Sequence, residues 1–296
     1  MTGVGHSSRF LKNMVLSHPD HDRAIKAMSR VLERVEAALQ LRSDDAASTS
    51  APRVVTFVPP NFSLTMIVDC YQAGLRHFGE TTPHELIRKA EAEDILQHCP
   101  DIKWHFYGPL QPSVATSRLV KAPNLYMIES VHNDTLATVL DQSAASVKRE
   151  SLLKVMVQVA ASEKEEKLGL LAPSSSYRLC QHIVEDCPYL ELCGLMVNTS
   201  SSGNASTNND SESNETFDEE FQALATARLD VCRTLQMEVE ELQLSVGGSW
   251  DFERAIELGS SNVRIDLEAL GVSAPEYSPV VSVAEDVSLN DEENSK

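Results

Sequence analysis

Short runs rich in β-branched and aromatic residues alternate with longer amphipathic stretches along most of this 296-residue chain. Strand-like runs fall at 53–58, 75–78, 102–107, 124–129, 152–159, 190–197, 242–246 and 262–265, which predicts eight strands. Within the fifth, Leu153-Lys154-Val155-Met156-Val157-Gln158-Val159 is almost continuously apolar, the pattern of a parallel strand covered on both faces. Helical periodicity predicts a long helix over 21–41 ahead of the first strand. Further helices are expected over 63–73, 83–97, 134–142, 175–185, 218–237 and 250–258. The stretch after Gly108 is less clearly helical. Strands separated by helical crossovers predict an α/β protein, a single-domain (β/α)8 TIM-type barrel with an N-terminal helix, more readily than an open doubly wound sheet.

Three segments break this rhythm: polar inserts near 42–52 and 199–216, and the acidic stretch 272–296. They are poor in aromatics and rich in small polar residues, so they cannot bury enough apolar surface to offset chain entropy. The expected organisation is a flexible N-terminus over 1–20, a barrel over 21–271 carrying the two inserts, and a disordered acidic tail. A phosphorylated or partner-binding switch is the other use such segments find.

Charge narrows the function classes. The net charge is −19; without the six acids of 205–220 and the five net negative charges of 272–296 it is about −8. A mildly acidic body argues against nucleic acid and anionic membrane, which both need a basic face. The six cysteines form no C-x-x-C pair, so neither a zinc site nor a disulfide scaffold is expected. There is no signal-like apolar run near the start and no apolar run long enough to span a bilayer. The expected location is cytoplasmic.

In a barrel of this type functional groups sit at the C-terminal ends of the strands, and phosphate is often held by the loops after the seventh and eighth. That points to Ser245-Val246-Gly247-Gly248-Ser249-Trp250-Asp251-Phe252 and Val263-Arg264-Ile265-Asp266-Leu267. Two glycines permit close backbone approach, and Ser249 could cap a helix starting at Trp250, leaving amides free for an anion. A plain N-cap is the competing reading. Arg264 at a strand end suits a ring nitrogen or a carboxylate, or a structural ion pair. His105 inside a strand run reads as a satisfied barrel histidine, and His18-x-x-His21 as exposed; no metal is expected.

Several runs carry a resemblance: His77-Phe78-Gly79-Glu80, Trp104-His105-Phe106-Tyr107-Gly108-Pro109-Leu110-Gln111, Asn124-Leu125-Tyr126-Met127-Ile128-Glu129-Ser130, Cys193-Gly194-Leu195-Met196, and 251–265. In this order, from about Arg53 to Gly271, the chain resembles the pyridoxal-phosphate homeostasis proteins, relatives of the N-terminal barrel of alanine racemase. The resemblance implies a barrel with pyridoxal phosphate at its mouth, acting in vitamin B6 balance without robust catalysis. Carried over by position, it implies a phosphate-binding serine at Ser249, an arginine facing the pyridine nitrogen at Arg264, and a backbone pair closing the phosphate cup at Asp266 and Leu267.

The departures carry as much weight. Where the family has a lysine that makes the Schiff base, the run here is Val55-Thr56-Phe57-Val58-Pro59-Pro60 and Phe57 occupies the position. A phenyl ring has no amine to form an imine. Lys154, Lys164 and Lys167 are the nearest other lysines in barrel order, and each reads better as a surface or ion-paired residue. Thr81-Thr82 and Pro109 to Val114 replace polar family residues, which implies a less polar mouth. Asp266 replaces a family glycine; a carboxylate about 6 Å from a phosphate costs a few kcal/mol at an effective dielectric of about 20. The expected function is a non-catalytic pyridoxal-phosphate homeostasis-type protein whose hold on that cofactor, or another phosphate compound, is weak and noncovalent. The alternative is a degenerate scaffold acting through a protein partner.

Overall fold

The computed structural model describes residues 19–42, 51–58, 62–147, 149, 151–167, 170–199 and 211–266. Most of the insert near 42–52, residues 200–210, the acidic tail, His18 and Leu267 lie outside them, as does the His21 side chain. Eight parallel strands close on themselves in sequence order: β1 (Arg53–Phe57), β2 (His77–Glu80), β3 (Lys103–Phe106), β4 (Leu125–Val131), β5 (Leu153–Val159), β6 (Leu190–Val197), β7 (Gln243–Ser245) and β8 (Asn262–Asp266). Closure runs through β1 and β8, with Arg53 opposite Asn262 and Phe57 opposite Asp266. The expected (β/α)8 barrel is what the chain forms.

Among the described residues ten helices surround it: α1 (Pro19–Leu41), α2 (Leu64–Gln72), α3 (Pro83–Ala90), α4 (Glu93–His98), α5 (Val114–Leu119), α6 (Asp134–Val147), α7 (Glu163–Lys167), α8 (Ser176–Asp186), α9 (Ser211–Leu235) and α10 (Phe252–Leu258). In α1 the buried residues Ala27, Met28, Val31, Val35 and Ala38 recur at helical spacing and present one apolar stripe to α2 and α10. Arg34 pairs with Glu253 and lies over the Phe252 ring at 4.6 Å. Arg42 donates to the carbonyls of Ile256 and Ser260, so the end of α1 is fastened to the end of α10. No helix of the described residues is long and apolar enough to cross a membrane.

Strand alternation builds two cores. Outward residues such as Phe78, Trp104 and Phe106 pack under the helices in the main cluster, while Met127, Met156, Cys193 and Met196 form a smaller lumenal cluster with Tyr107 and Tyr126. Burial of each large outward side chain contributes roughly 1.5–3 kcal/mol. All six cysteines are buried and free.

Three departures from the periodicity have local causes. β2 starts at His77 rather than 75, because Gly74 (φ 109) ends α2 in the left-handed conformation. The Gly74 amide then returns to Tyr71 O and the Leu75 amide to Cys70 O, which makes Leu75 the apolar closure of a helix cap instead of a strand residue. The helix expected over 83–97 is two, α3 and α4, divided at Glu91 and Ala92. Helix α9 begins at Ser211, inside the polar insert; acidic side chains in a first helical turn are favoured by the helix dipole.

Gly108 fixes how closely the β2 and β3 loops approach: a Cβ there would lie 1.7 Å from the Thr81 carbonyl oxygen. Gly108→Ala should therefore destabilise the fold by about 1–3 kcal/mol, the usual range for an overpacked site. A urea midpoint unchanged from wild type would show that the loops separate freely.

Candidate functional site

Beneath the C-terminal mouth of the barrel lies a buried carboxylate with a full set of donors. Glu129 of β4 is inaccessible to solvent. Its Oε1 meets His105 Nδ1 at 2.7 Å; its Oε2 accepts from Ser245 Oγ at 2.7 Å and Asn262 Nδ2 at 3.0 Å. Burial works to raise its pKa, but the hydrogen bonds from His105 and Ser245 and the Arg264 charge hold it down at about 2. The histidine side of this network is kept neutral. Burial lowers His105 against the pull of Glu129, and burial with the charges of Arg53 and Lys103 lowers His77 to about 3. Neutral rings fix the tautomers inferred from the contacts: His77 Nδ1–H donates to His105 Nε2 at 2.8 Å, and His105 Nδ1–H donates to Glu129. His105 is thus the satisfied barrel histidine its strand position implied.

The same network positions Arg264. The guanidinium is 8% exposed and donates to Ser245 Oγ at 2.6 Å, Val197 O at 2.8 Å and Asn198 Oδ1 at 3.2 Å. It lies 3.8 Å from Glu129 Oε2 and 5.8 Å from the Tyr107 ring centre. Tyr107 can cross the lumen only because residue 79 is glycine, where a Cβ would stand 2.3 Å from the ring. Burial pushes the Tyr107 hydroxyl well above the usual phenol range, so it acts as a neutral donor or acceptor.

Ser249 and Asp266 meet directly, the Asp266 amide donating to Ser249 Oγ at 2.8 Å. Ser249 does not cap a helix as expected. Helix α10 starts at Phe252, and Asp251, the stronger acceptor, turns back to take the Gly248 amide at 2.6 Å. Gly248 is open: a Cβ there would find its nearest neighbour, Arg264 O, at 3.7 Å. At the end of β1, Phe57 is half-buried and its ring faces Tyr107 with centres 6.1 Å apart.

Lys154 lies at the start of β5, paired with Glu191; Lys164 is exposed on α7, and the Lys167 side chain is outside the described residues. The lysine that sequence reasoning missed is Lys89. Fully buried, it donates to Glu80 Oε1 and Val58 O, both at 2.6 Å, and burial lowers its pKa against the pull of Glu80. A lysine on the apolar face of α3, beside Leu86 and Ala90, was the available signal.

Next to Arg264 opens a cavity of about 470 Å³, lined by Tyr107, Gln111, His132, Asn133, Gln158 and Asn198 among others. Its size is in the range of small-ligand pockets. The polar lining departs from the expected loss of polar groups at the mouth: β4, β5 and β6 supply at their ends what the β2 and β3 loops do not. None of these was singled out as a site residue, because they come from four separate loops.

Fold and mouth together define a class: a (β/α)8 barrel with Ser249, Arg264 and Asp266 at the ends of its last two strands and a small cavity nearby. The comparisons narrow it. No protein-family model matches the chain. The pyridoxal phosphate homeostasis proteins of Mus musculus and Homo sapiens are 36% and 37% identical to it over 245 residues, 83% of this chain and 85% of each relative. PipY of Synechococcus elongatus, solved with PLP bound, has the same fold at a TM-score of 0.61 and 21% identity, with 84% of this chain and all of that one covered. The chain belongs to the pyridoxal phosphate homeostasis protein family.

The buried network sets an acid limit on stability. Histidines held neutral have folded pKa values below the unfolded one near 6.5, and Glu129 falls from an ordinary 4.5 to about 2. In both cases the unfolded chain binds protons more readily, so stability falls as pH drops. The fall should begin below pH 6.5 through the histidines and steepen from 4.5 toward 2 through Glu129. Denaturant midpoints of wild type and His77→Phe between pH 7 and 4.5 check this, the variant giving the flatter line; equal slopes would remove His77 from the account.

Proposed function

We propose that this chain is a non-catalytic member of its family that holds pyridoxal phosphate, or a phosphate compound of similar shape, without a covalent bond. One juxtaposition carries the reading. The Asp266 amide meets Ser249 Oγ at the mouth, Arg264 lies two residues earlier on β8, and β1, paired with β8 at Asp266, ends there in the phenyl ring of Phe57. Anion-holding groups are present where the amine is not.

The residues fit such a ligand on their own terms. The Ser249 hydroxyl can donate to a phosphate, while the Gly248 amide beside it is taken by Asp251. Arg264 can face a ring nitrogen or an acidic substituent, and the adjoining cavity has room for the ring. The name of the mammalian relatives and the PLP bound to PipY support the choice of ligand. Bound, the cofactor supplies an electrophilic aldehyde and an electron-withdrawing ring; this chain's residues orient it and keep its phosphate in place. Lys89 is engaged by Glu80 and Val58 and is sealed from the mouth. Asp266 weakens the phosphate cup by like charge, which favours exchange over storage at high affinity. Reduced soluble surroundings, as in cytoplasm, suit its six free thiols.

The purified protein should bind added pyridoxal phosphate reversibly and gain no pyridoxyl mass after borohydride reduction. A reduced adduct on one native lysine would overturn the noncovalent reading, and no binding at all would favour the partner-scaffold alternative. Phe57→Lys should create a borohydride-trappable adduct at residue 57, because the half-buried position can admit an amine. Adding Asp266→Gly should tighten that complex by about ten-fold or more, the factor that corresponds to roughly 1.4 kcal/mol of removed repulsion. A folded double variant that gives no adduct would show that the mouth no longer admits the ligand.

A further inference from the structure

The end of the barrel opposite the mouth gathers cations around one aromatic ring. Arg53, Lys103 and Lys154 lie at or next to the first residues of β1, β3 and β5. Around Tyr126, near the start of β4, Arg53 Cζ stands at 5.5 Å, Lys103 Nζ at 5.2 Å and Lys154 Nζ at 6.0 Å from the ring centre. In a chain of net charge −19 this is a local reversal of sign. Among the described residues Glu191 is the one carboxylate paired with any of the three, and it is taken by Lys154. Arg53 is held by the neutral amides of Gln243 and Asn262, and Lys103 has the ring alone.

Beside the cluster is a second cavity, about 290 Å³, walled by Lys103, Tyr126, Lys154, Arg149, Asn124 and Ser151 among others. Arg149 adds a fourth cation. Its terminal nitrogens donate to the carbonyls of Val120 and Leu125, at 3.2 and 2.6 Å, and its Nε is buried without a partner. The nearest further acid in the wall, Asp101, is engaged by Tyr71 and Arg76. Cations held this close with so little compensation repel one another, and the electron-rich face of the Tyr126 ring offsets only part of that repulsion. An anion in the cavity would relieve it.

We propose that this cavity is a second ligand site, distinct from the mouth, which binds the phosphate group of a small molecule between Lys103, Lys154 and Arg149. The volume falls just below the usual range for drug-sized ligands, which selects free phosphate or a small phosphate ester. Hydroxyl and amide groups of Ser151 and Asn124 can complete the contacts around the charge.

The test is a titration of the full chain with inorganic phosphate at constant ionic strength, followed by amide chemical shifts of residues 101–103, 124–126 and 151–154. A parallel titration uses methyl phosphate. Saturable shifts at these positions are expected with one or both, and the tighter ligand tells a free from an esterified source. Lys103→Gln should weaken binding here by about ten-fold, the factor carried by one charge-assisted contact. Ser249→Ala at the mouth should leave it unchanged. Lys103 makes no hydrogen bond within the described residues, so its variant should fold, and the spectrum itself confirms that. The proposal fails if the shifts do not saturate, if chloride reproduces them at equal ionic strength, if folded Lys103→Gln binds as wild type, or if Ser249→Ala abolishes them.

Discussion

A carboxylate with no access to water must be fully hydrogen-bonded or it unfolds its surroundings, and Glu129 imposes that requirement on half the barrel. Removing a partner from a buried charge costs about 3–5 kcal/mol, so the groups that satisfy it are constrained together: His105 from β3, Ser245 from β7 and Asn262 from β8. These strands are not all neighbours. The carboxylate therefore ties the wall across the lumen in a way that strand pairing cannot. Arg264 is fixed by the same groups through Ser245, and His77 extends the chain of hydrogen bonds toward the opposite end. The lumen is a packed polar column with a methionine-rich flank, and the two cavities described lie at its opposite ends.

Those ends differ in chemistry because each strand contributes a different residue to each. The mouth collects a serine, an arginine, an open glycine and several amide side chains; the other end collects lysines and arginines around Tyr126. In the reading proposed for the mouth, the site keeps the electrostatics of a phosphate-binding barrel and gives up the covalent anchor. Buried amines are expensive unless paired, and the one near this end, Lys89, is matched to Glu80 and a strand carbonyl. It braces α3 against β1 and β2.

The architecture was legible in the sequence because eight apolar runs and their crossovers each obey a period that backbone geometry demands. What the periods missed was set by single residues acting locally. Gly74 moved the start of β2 by closing a helix cap, and Asp251 displaced the start of α10 by taking the Gly248 amide. The site was legible in part. Ser249 and Arg264 were picked out by their place at the ends of β7 and β8 and Asp266 through the resemblance, and the fold joins the Asp266 amide to Ser249 while the Arg264 side chain turns to Ser245, Val197 and Asn198. Gln111, His132, Gln158 and Asn198 belong to loops far apart in sequence, and no spacing announces that they share a wall. Lys89 and Glu80 are nine residues apart on different elements, and only the packing of α3 on β2 shows them as a pair.

Phe57 is better understood through its neighbours than as a missing group. Gly79 leaves the lumen empty beside β2, Tyr107 fills that space, and Phe57 packs against Tyr107 from β1. The cationic face of Arg264 closes the arrangement from β8. An aromatic pair of this kind contributes about 0.5–1.5 kcal/mol beyond its buried area, so the phenyl ring is integrated into the mouth. It remains half-buried, however, and the Tyr107 ring it faces lines a cavity whose walls mix Pro109, Leu110 and Leu170 with the polar side chains of Gln111, His132, Gln158 and Asn198. A residue that served only to plug a lost site would be expected to draw the surrounding wall into an apolar core. A cavity of mixed lining, with apolar and aromatic surface set with a few polar groups, is instead the usual composition of a small-molecule pocket, and under the proposed reading it is this composition beside Tyr107 that leaves room for a ligand.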